Sequence, residues 1–139
     1  MATTPTIYIP TAEQAVACRD CELAAYGTAA SVKQWQRLLS NNAVVALAHG
    51  KAPSGVAVAR FVDNQWELVV VAVRPTARRR GIGRTLIELL GEKSQLNLRL
   101  PETNTDALQF AKSCGFRPLK IEHGGYEKCD AIHLVRNPE

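Results

Sequence analysis

The apolar positions of this chain change rhythm several times, and each change predicts an element. Ile7-Tyr8-Ile9, ahead of Pro10, reads as a short first strand. Thr11 caps the run from Ala12 to Tyr26, which carries Val16, Leu23 and several alanines in a helix-like pattern and which Gly27 ends. Ser31 caps a second short helix through Ser40, with Val32, Trp35, Leu38 and Leu39 at helical spacing. After Asn41-Asn42 the period becomes that of strands. Residues 43–49 (AVVALAH) and 55–62 (GVAVARFV) flank a Gly50-Lys51-Ala52-Pro53-Ser54 turn, and Asp63-Asn64 turns tightly into Trp66–Val73. That last run is β-branched and nearly free of charge, which predicts a central strand covered on both faces.

Arg74–Arg80 is a basic loop broken by Pro75, and Gly81-Ile82-Gly83 opens a helix to about Lys93, with Leu86, Ile87, Leu89 and Leu90 facing inward. Leu96–Leu100 alternates as a strand does, and Pro101 ends it. Asn104 or Thr105 caps a helix from Asp106 to about Cys114, closed by Gly115. Two more strands, near Arg117–His123 and Tyr126–Val135, surround Gly124-Gly125. The order β-α-α-β-β-β-α-β-α-β-β predicts an α/β domain, a mixed sheet with helices packed on its faces. No repeat, low-complexity stretch or linker divides residues 1–139, and that length suits one core.

Composition narrows the class. Hydrophobic residues make up 46% and charged residues 22%, ordinary globular usage that excludes disorder, collagen and coiled coil for the whole chain. Seventeen Lys and Arg against thirteen Asp and Glu leave +4, which favours phosphates or acidic metabolites as partners. No stretch approaches the ~20 apolar residues of a membrane helix. Met1–Thr6 has no basic residue ahead of an apolar run, so no secretory signal is expected. Four cysteines are too few for a disulfide scaffold, and the expectation is a soluble, cytoplasmic protein.

The chemistry concentrates between Val71 and Thr85. There a buried strand runs into a glycine-containing turn that opens a helix. Main-chain N–H groups in such a turn are unpaired and converge, and the helix dipole adds partial positive charge. Gly81 and Gly83 lack Cβ, so a pyrophosphate can approach the backbone, and Arg78, Arg79, Arg80 and Arg84 add charge. The P-loop spacing is absent. The dinucleotide fingerprint wants a third small residue where Leu86 stands.

Arg78-Arg79-Arg80-Gly81-Ile82-Gly83 resembles the Arg/Gln-x-x-Gly-x-Gly/Ala motif of the GNAT acetyltransferases, and Val71-x-Val73-x-Pro75 resembles their fourth strand. Asn104, Ala107, Phe110 and Gly115-Phe116 fit the family's second signature, in the expected order. The resemblance implies a GNAT fold, a mostly antiparallel sheet splayed between its fourth and fifth strands, with acetyl-CoA bound in the split. It further implies that main-chain groups of Val71 and Val73 hold the pantetheine and acetyl carbonyl. The turn from Arg79 through Ile82 to Arg84 would hold the pyrophosphate, with Thr85 as an extra donor and Asn104 reaching the pantetheine; Phe110 belongs to the same cofactor set. The implied reaction is acetyl transfer to a primary amine, of a small molecule or a protein, in a ternary complex.

Such a reaction needs a base, an oxyanion donor and a proton for the thiolate. Glu67, the single carboxylate in an apolar strand, is the candidate base, with a solvated strand-end residue as the plain alternative. A main-chain N–H at or beside Val73 is the candidate oxyanion donor. The family's acid tyrosine is replaced by Ala111, which cannot protonate anything; Tyr126 is the substitute candidate. The stretch Gly124-Gly125-Tyr126-Glu127-Lys128-Cys129 is also similar to bacterial regulators that associate with the aspartate decarboxylase precursor. Those bind acetyl-CoA as sensors and transfer nothing, so a sensor acting through a protein partner is the alternative function.

Other features read plainly. Cys18-Arg19-Asp20-Cys21 has CxxC spacing but no second pair at zinc-finger distance, so no metal is expected. Cys114, His49, His123, His133, Trp35 and Trp66 read as core or solvated residues. One short arginine cluster without stacking or recognition motifs excludes nucleic acid. Both a monomer and a homodimer fit the sequence.

Overall fold

The computed structural model describes residues 5–138, so the first four residues of the segment read as lacking a signal lie outside it. Strand β1 (Thr6–Tyr8) leads through a 3-10 turn (Ala12–Gln14) into helix α1 (Ala15–Tyr26), and α2 spans Val32–Asn41. The N-termini are held as the sequence predicts. The Thr11 N–H donates to Gln14 Oε1 at 2.9 Å, the Gln34 N–H to Ser31 Oγ at 3.1 Å, and the Ser31 N–H to Gln34 Oε1 at 2.8 Å. Strands β2 (Ala43–Ala48), β3 (Pro53–Val62) and β4 (Gln65–Val73) form a meander. Helix α3 (Ile82–Leu90), strand β5 (Leu96–Pro101), helix α4 (Thr105–Ser113) and the hairpin β6 (Arg117–Tyr126) and β7 (Cys129–Arg136) complete the chain.

The seven strands lie in the order β1-β2-β3-β4-β5-β7-β6, antiparallel except for β4 against β5. This is the splayed, mixed sheet that the resemblance implies. The parallel pair meets only at Trp66 with Leu96 and Glu67 with Asn97, after which the strands diverge. Alternation along β2 separates two cores. Val44 and Ala46 pack with Trp35, Cys18 and Cys21 under α1 and α2, while Val45 and Leu47 pack with Ile82 and Leu86 of α3. A third cluster carries Leu68, Ile87, Leu96, Ala111, Phe116 and Leu134 across to α4. Trp35, fully buried, donates its indole N–H to Glu22 Oε1 at 2.9 Å.

Several expectations change. The face that α1 buries is Ala15, Cys18 and Cys21, small side chains that let the helix approach the sheet, while Val16 and Leu23 are exposed. Helix α3 stops at Leu90 rather than near Lys93, and Leu89 is 38% exposed, off the inward face. Strand β4 is not covered on both faces: only Leu68 and Ala72 are fully buried, because the divergence of β5 leaves one flank open. Gly124-Gly125 is not the hairpin turn. Tyr126 pairs with Cys129, so the turn is Glu127-Lys128. The Gly124 N–H instead donates to Asp130 Oδ1 at 2.9 Å across an irregularity in β6.

Candidate functional site

The turn after β4 leaves main-chain N–H groups free at the start of a helix. Val73 ends the strand, the Arg74 N–H donates back to Ser54 O at 2.9 Å, and Pro75–Ala77 makes one 3-10 turn. Arg79 at φ 66° and Gly81 at φ 72° then bend the chain into α3. The first hydrogen bond into this helix runs from the Thr85 N–H to Gly81 O at 3.0 Å, so the Ile82, Gly83 and Arg84 N–H groups have no helical acceptor. The two glycines serve different needs. A Cβ on Gly81 would meet nothing, and its value is the left-handed backbone; a Cβ on Gly83 would lie 2.8 Å from Phe110 Cζ, and its value is space.

These groups open onto the split. Beside the turn lies a cavity of about 560 Å³ lined by Val71, Val73, Arg78, Arg79, Gly81–Arg84 and Phe110, among others. A second, of about 630 Å³, continues between β4, β5 and α4, lined by Leu68–Val71, Leu98, Leu100, Asn104, Asp106, Ala107 and Ala111. Both share Ala25, Tyr26, Val71, Arg78 and Phe110, so they form one cleft along β4. Within that stretch β4 is bulged: Val58 pairs with Val70 and Ala59 with Leu68, leaving Val69 unopposed and turned to the cleft.

The arginines divide. Arg78 Nη2 donates to Ala25 O at 2.8 Å, and Arg84 Nη2 donates to Ser113 O. Both reach along the cleft walls; Arg79 lines the first cavity, and Arg80 lines neither cavity. Thr85 lines a separate hollow on the far side of α3 with Glu88 and Arg136. Asn104 lines the second cavity, but its side-chain oxygen accepts the Ala107 N–H at 3.2 Å and so caps α4.

The two residues read as acid and base stand apart from the cleft lining. Glu67 Oε1 is 3.1 Å from Arg60 Nη2 across the β3–β4 pair, both side chains partly exposed. The Tyr126 hydroxyl donates to Arg99 O at 3.3 Å, with the Arg99 guanidinium 4.4 Å over its ring. Ala111, 2% exposed, lines the second cavity. Among the described residues no group of three or more His, Cys, Asp or Glu is placed to hold a metal.

Among the cleft residues that the sequence did not single out, Tyr26 and Asp106 carry titratable groups. Tyr26 projects its hydroxyl from the end of α1 to the main-chain carbonyl of Val71, and partial loss of water around the hydroxyl there, then Glu22, pushes its pKa up although the ring is largely exposed. Asp106, in the first turn of α4, is the carboxylate that lines the second cavity. Nothing local marks either. Tyr26 reaches β4 across 45 positions of sequence, and Asp106 reads as an ordinary first-turn acid.

A family model described as an acetyltransferase (GNAT) domain matches residues 40–118. No curated protein sequence matches the chain significantly. Among solved structures, the ribosomal-protein-S18-alanine N-acetyltransferase from Escherichia coli superposes with a TM-score of 0.77 at 23% identity, covering 96% of this chain and 93% of that one. A GNAT-family acetyltransferase from Bacillus cereus reaches 0.83 at 15% identity, covering 98% and 99%. A GNAT-family acetyltransferase from Elizabethkingia anophelis, solved with acetyl-CoA bound, reaches 0.73 at 20%, covering 96% and 97%. At these identities the likeness is one of fold.

Proposed function

The chain belongs to the GNAT acetyltransferase family, and from that premise we propose that it transfers an acetyl group from acetyl-CoA to a primary amine by direct attack in a ternary complex. The observation that carries the reading is the set of unpaired N–H groups at Ile82, Gly83 and Arg84, opening onto a cleft that runs along the free flank of β4. The pyrophosphate would rest on those groups, with Arg78, Arg79 and Arg84 around it. The pantetheine would lie along Val73 and Val71, toward the bulge at Val69. The structural neighbour solved with acetyl-CoA supports that choice of donor.

In the transfer the amine nitrogen attacks the thioester carbonyl, the C–N bond forms, the C–S bond breaks, and the proton lost by the amine is matched by one gained at the thiolate. A main-chain N–H of β4 stabilises the oxyanion. Glu67 serves as base, which requires its carboxylate to leave Arg60. Tyr126 serves as acid, which requires its hydroxyl to leave Arg99 O and swing into the cleft that it does not line.

A second reading, an acetyl-CoA sensor that acts through a protein partner, is favoured by one observation: Ala111 lines the cleft where the family carries its acid. Calorimetric titration with acetyl-CoA and CoA, followed by CoA release across a panel of amines, separates the readings. Binding with amine-dependent release establishes the transferase. Binding without turnover on any amine favours the sensor, and no binding overturns both.

A further inference from the structure

We propose that the donor site accepts acyl groups longer than acetyl, and that the wall around Ala111 sets this allowance. The inference rests on reading the cleft as an acyl-CoA site. The N–H groups at the start of α3 fix the anionic end of the donor beside the C-terminal end of β4. A thioester arm laid back along the strand passes Val73 and Val71 and reaches Leu68 and Val69, about 17 Å away at ~3.3 Å per residue. That end lies in the second cavity.

The cavity continues beyond the strand. Its further wall is Ile87, Leu98, Leu100, Ala107, Ala111 and Phe116, with only apolar side-chain atoms. Ala111 offers a single methyl on α4 at the floor of the cleft, 2% exposed and clustered with Ile87, Phe116, Leu98 and Leu100, so a larger side chain there would have to project into the cleft and shorten it. The polar side chains of the lining are Asn104 and Asp106 at the start of α4 and Tyr26 and Arg78 where the two cavities join, none of them on this wall. Water gains little from an apolar wall that offers it no hydrogen bonds. An aliphatic chain matches it: a straight acyl group of about four to six carbons, each buried methylene tightening binding up to about fourfold.

Equilibrium binding of CoA, acetyl-CoA, butyryl-CoA and hexanoyl-CoA to the full chain tests this. The expected result is a rising series, with hexanoyl-CoA at least about tenfold tighter than acetyl-CoA. Ala111→Phe should flatten the series, and Ala107→Leu should do the same if the buried position will not take a ring. A flat or falling series with CoA bound normally overturns the inference and leaves the acyl-CoA reading standing. A rising series untouched by both substitutions overturns the assignment to this wall. Failure of CoA itself to bind overturns the underlying reading.

Discussion

The Tyr26 hydroxyl, at the end of α1, donates a hydrogen bond to the main-chain carbonyl of Val71 on the free flank of β4. That carbonyl is the one the pantetheine arm would use. A hydroxyl and a ligand amide therefore compete for one acceptor. Replacing Tyr26 with Phe keeps the ring and removes the competitor, so CoA should bind about fivefold tighter, the equivalent of one net hydrogen bond. Calorimetry reads this directly. Weaker binding would show that the hydroxyl turns to hold the ligand instead.

Gly81 and Gly83 should fail in different ways. Alanine at Gly81 must hold φ near 72° with open space around its Cβ, and stability should fall by about 1–2 kcal/mol. Alanine at Gly83 pushes on the end of the Phe110 ring, which is 41% exposed and free to swing into the cleft. Stability should change little. CoA affinity should fall about tenfold or more, for a steric cost of ~1–3 kcal/mol. Denaturant unfolding and calorimetry on both variants separate strain from obstruction.

The CxxC pair in α1 should be chemically silent in the folded protein. Burial, and then Cys21, pushes the Cys18 thiol up to about 11, and burial likewise raises Cys21 and Cys114. Thiolate is therefore scarce at neutral pH, and all three side chains are buried. Cys129 is partly exposed. Alkylation of the native protein followed by mass spectrometry should label Cys129 first and the other three only after denaturation. Early labelling of Cys18 would mean that α1 detaches from the sheet.

On β5, β7 and β6, Glu122 Oε1 lies 2.8 Å from His133 Nε2 and 3.3 Å from Arg99 Nε. The His133 hydrogen bond first, and Arg99 next, hold the Glu122 carboxyl below its ordinary 4.5. A carboxyl with a depressed folded pKa stabilises the fold above the unfolded value, and that contribution is lost as pH falls through the folded one. Glu122→Gln should therefore lower Tm at neutral pH, and the gap from the natural protein should close as pH falls below the ordinary carboxyl value and through the lowered folded one. A gap that persisted in acid would assign the loss to packing and not to charge.

Local chemistry carried a large part of this protein into view from sequence. Caps such as Ser31, the strand periods from residue 43 onward and the paired glycines at 81 and 83 are statements about a few neighbouring residues, and the backbone obeys them where they stand. The element order and the glycine turn that opens α3 were legible for that reason. Where a side chain ends up across the sheet was not. The apolar run of β4 reads as covered, yet β5 pairs with it at two positions and then leaves, and that register is a property of two strands far apart in sequence. Glu67 reads as a lone carboxylate until β3 brings Arg60 opposite it. Gly124-Gly125 reads as a turn until Asp130 accepts the Gly124 N–H and moves the reversal to Glu127-Lys128. Tyr26 joins the cleft because α1, resting on Ala15, Cys18 and Cys21, sits close enough to the sheet for its last residue to reach Val71. Backbone conformation is decided among neighbours; the partner a polar group finds is decided by packing, and only the folded chain contains it.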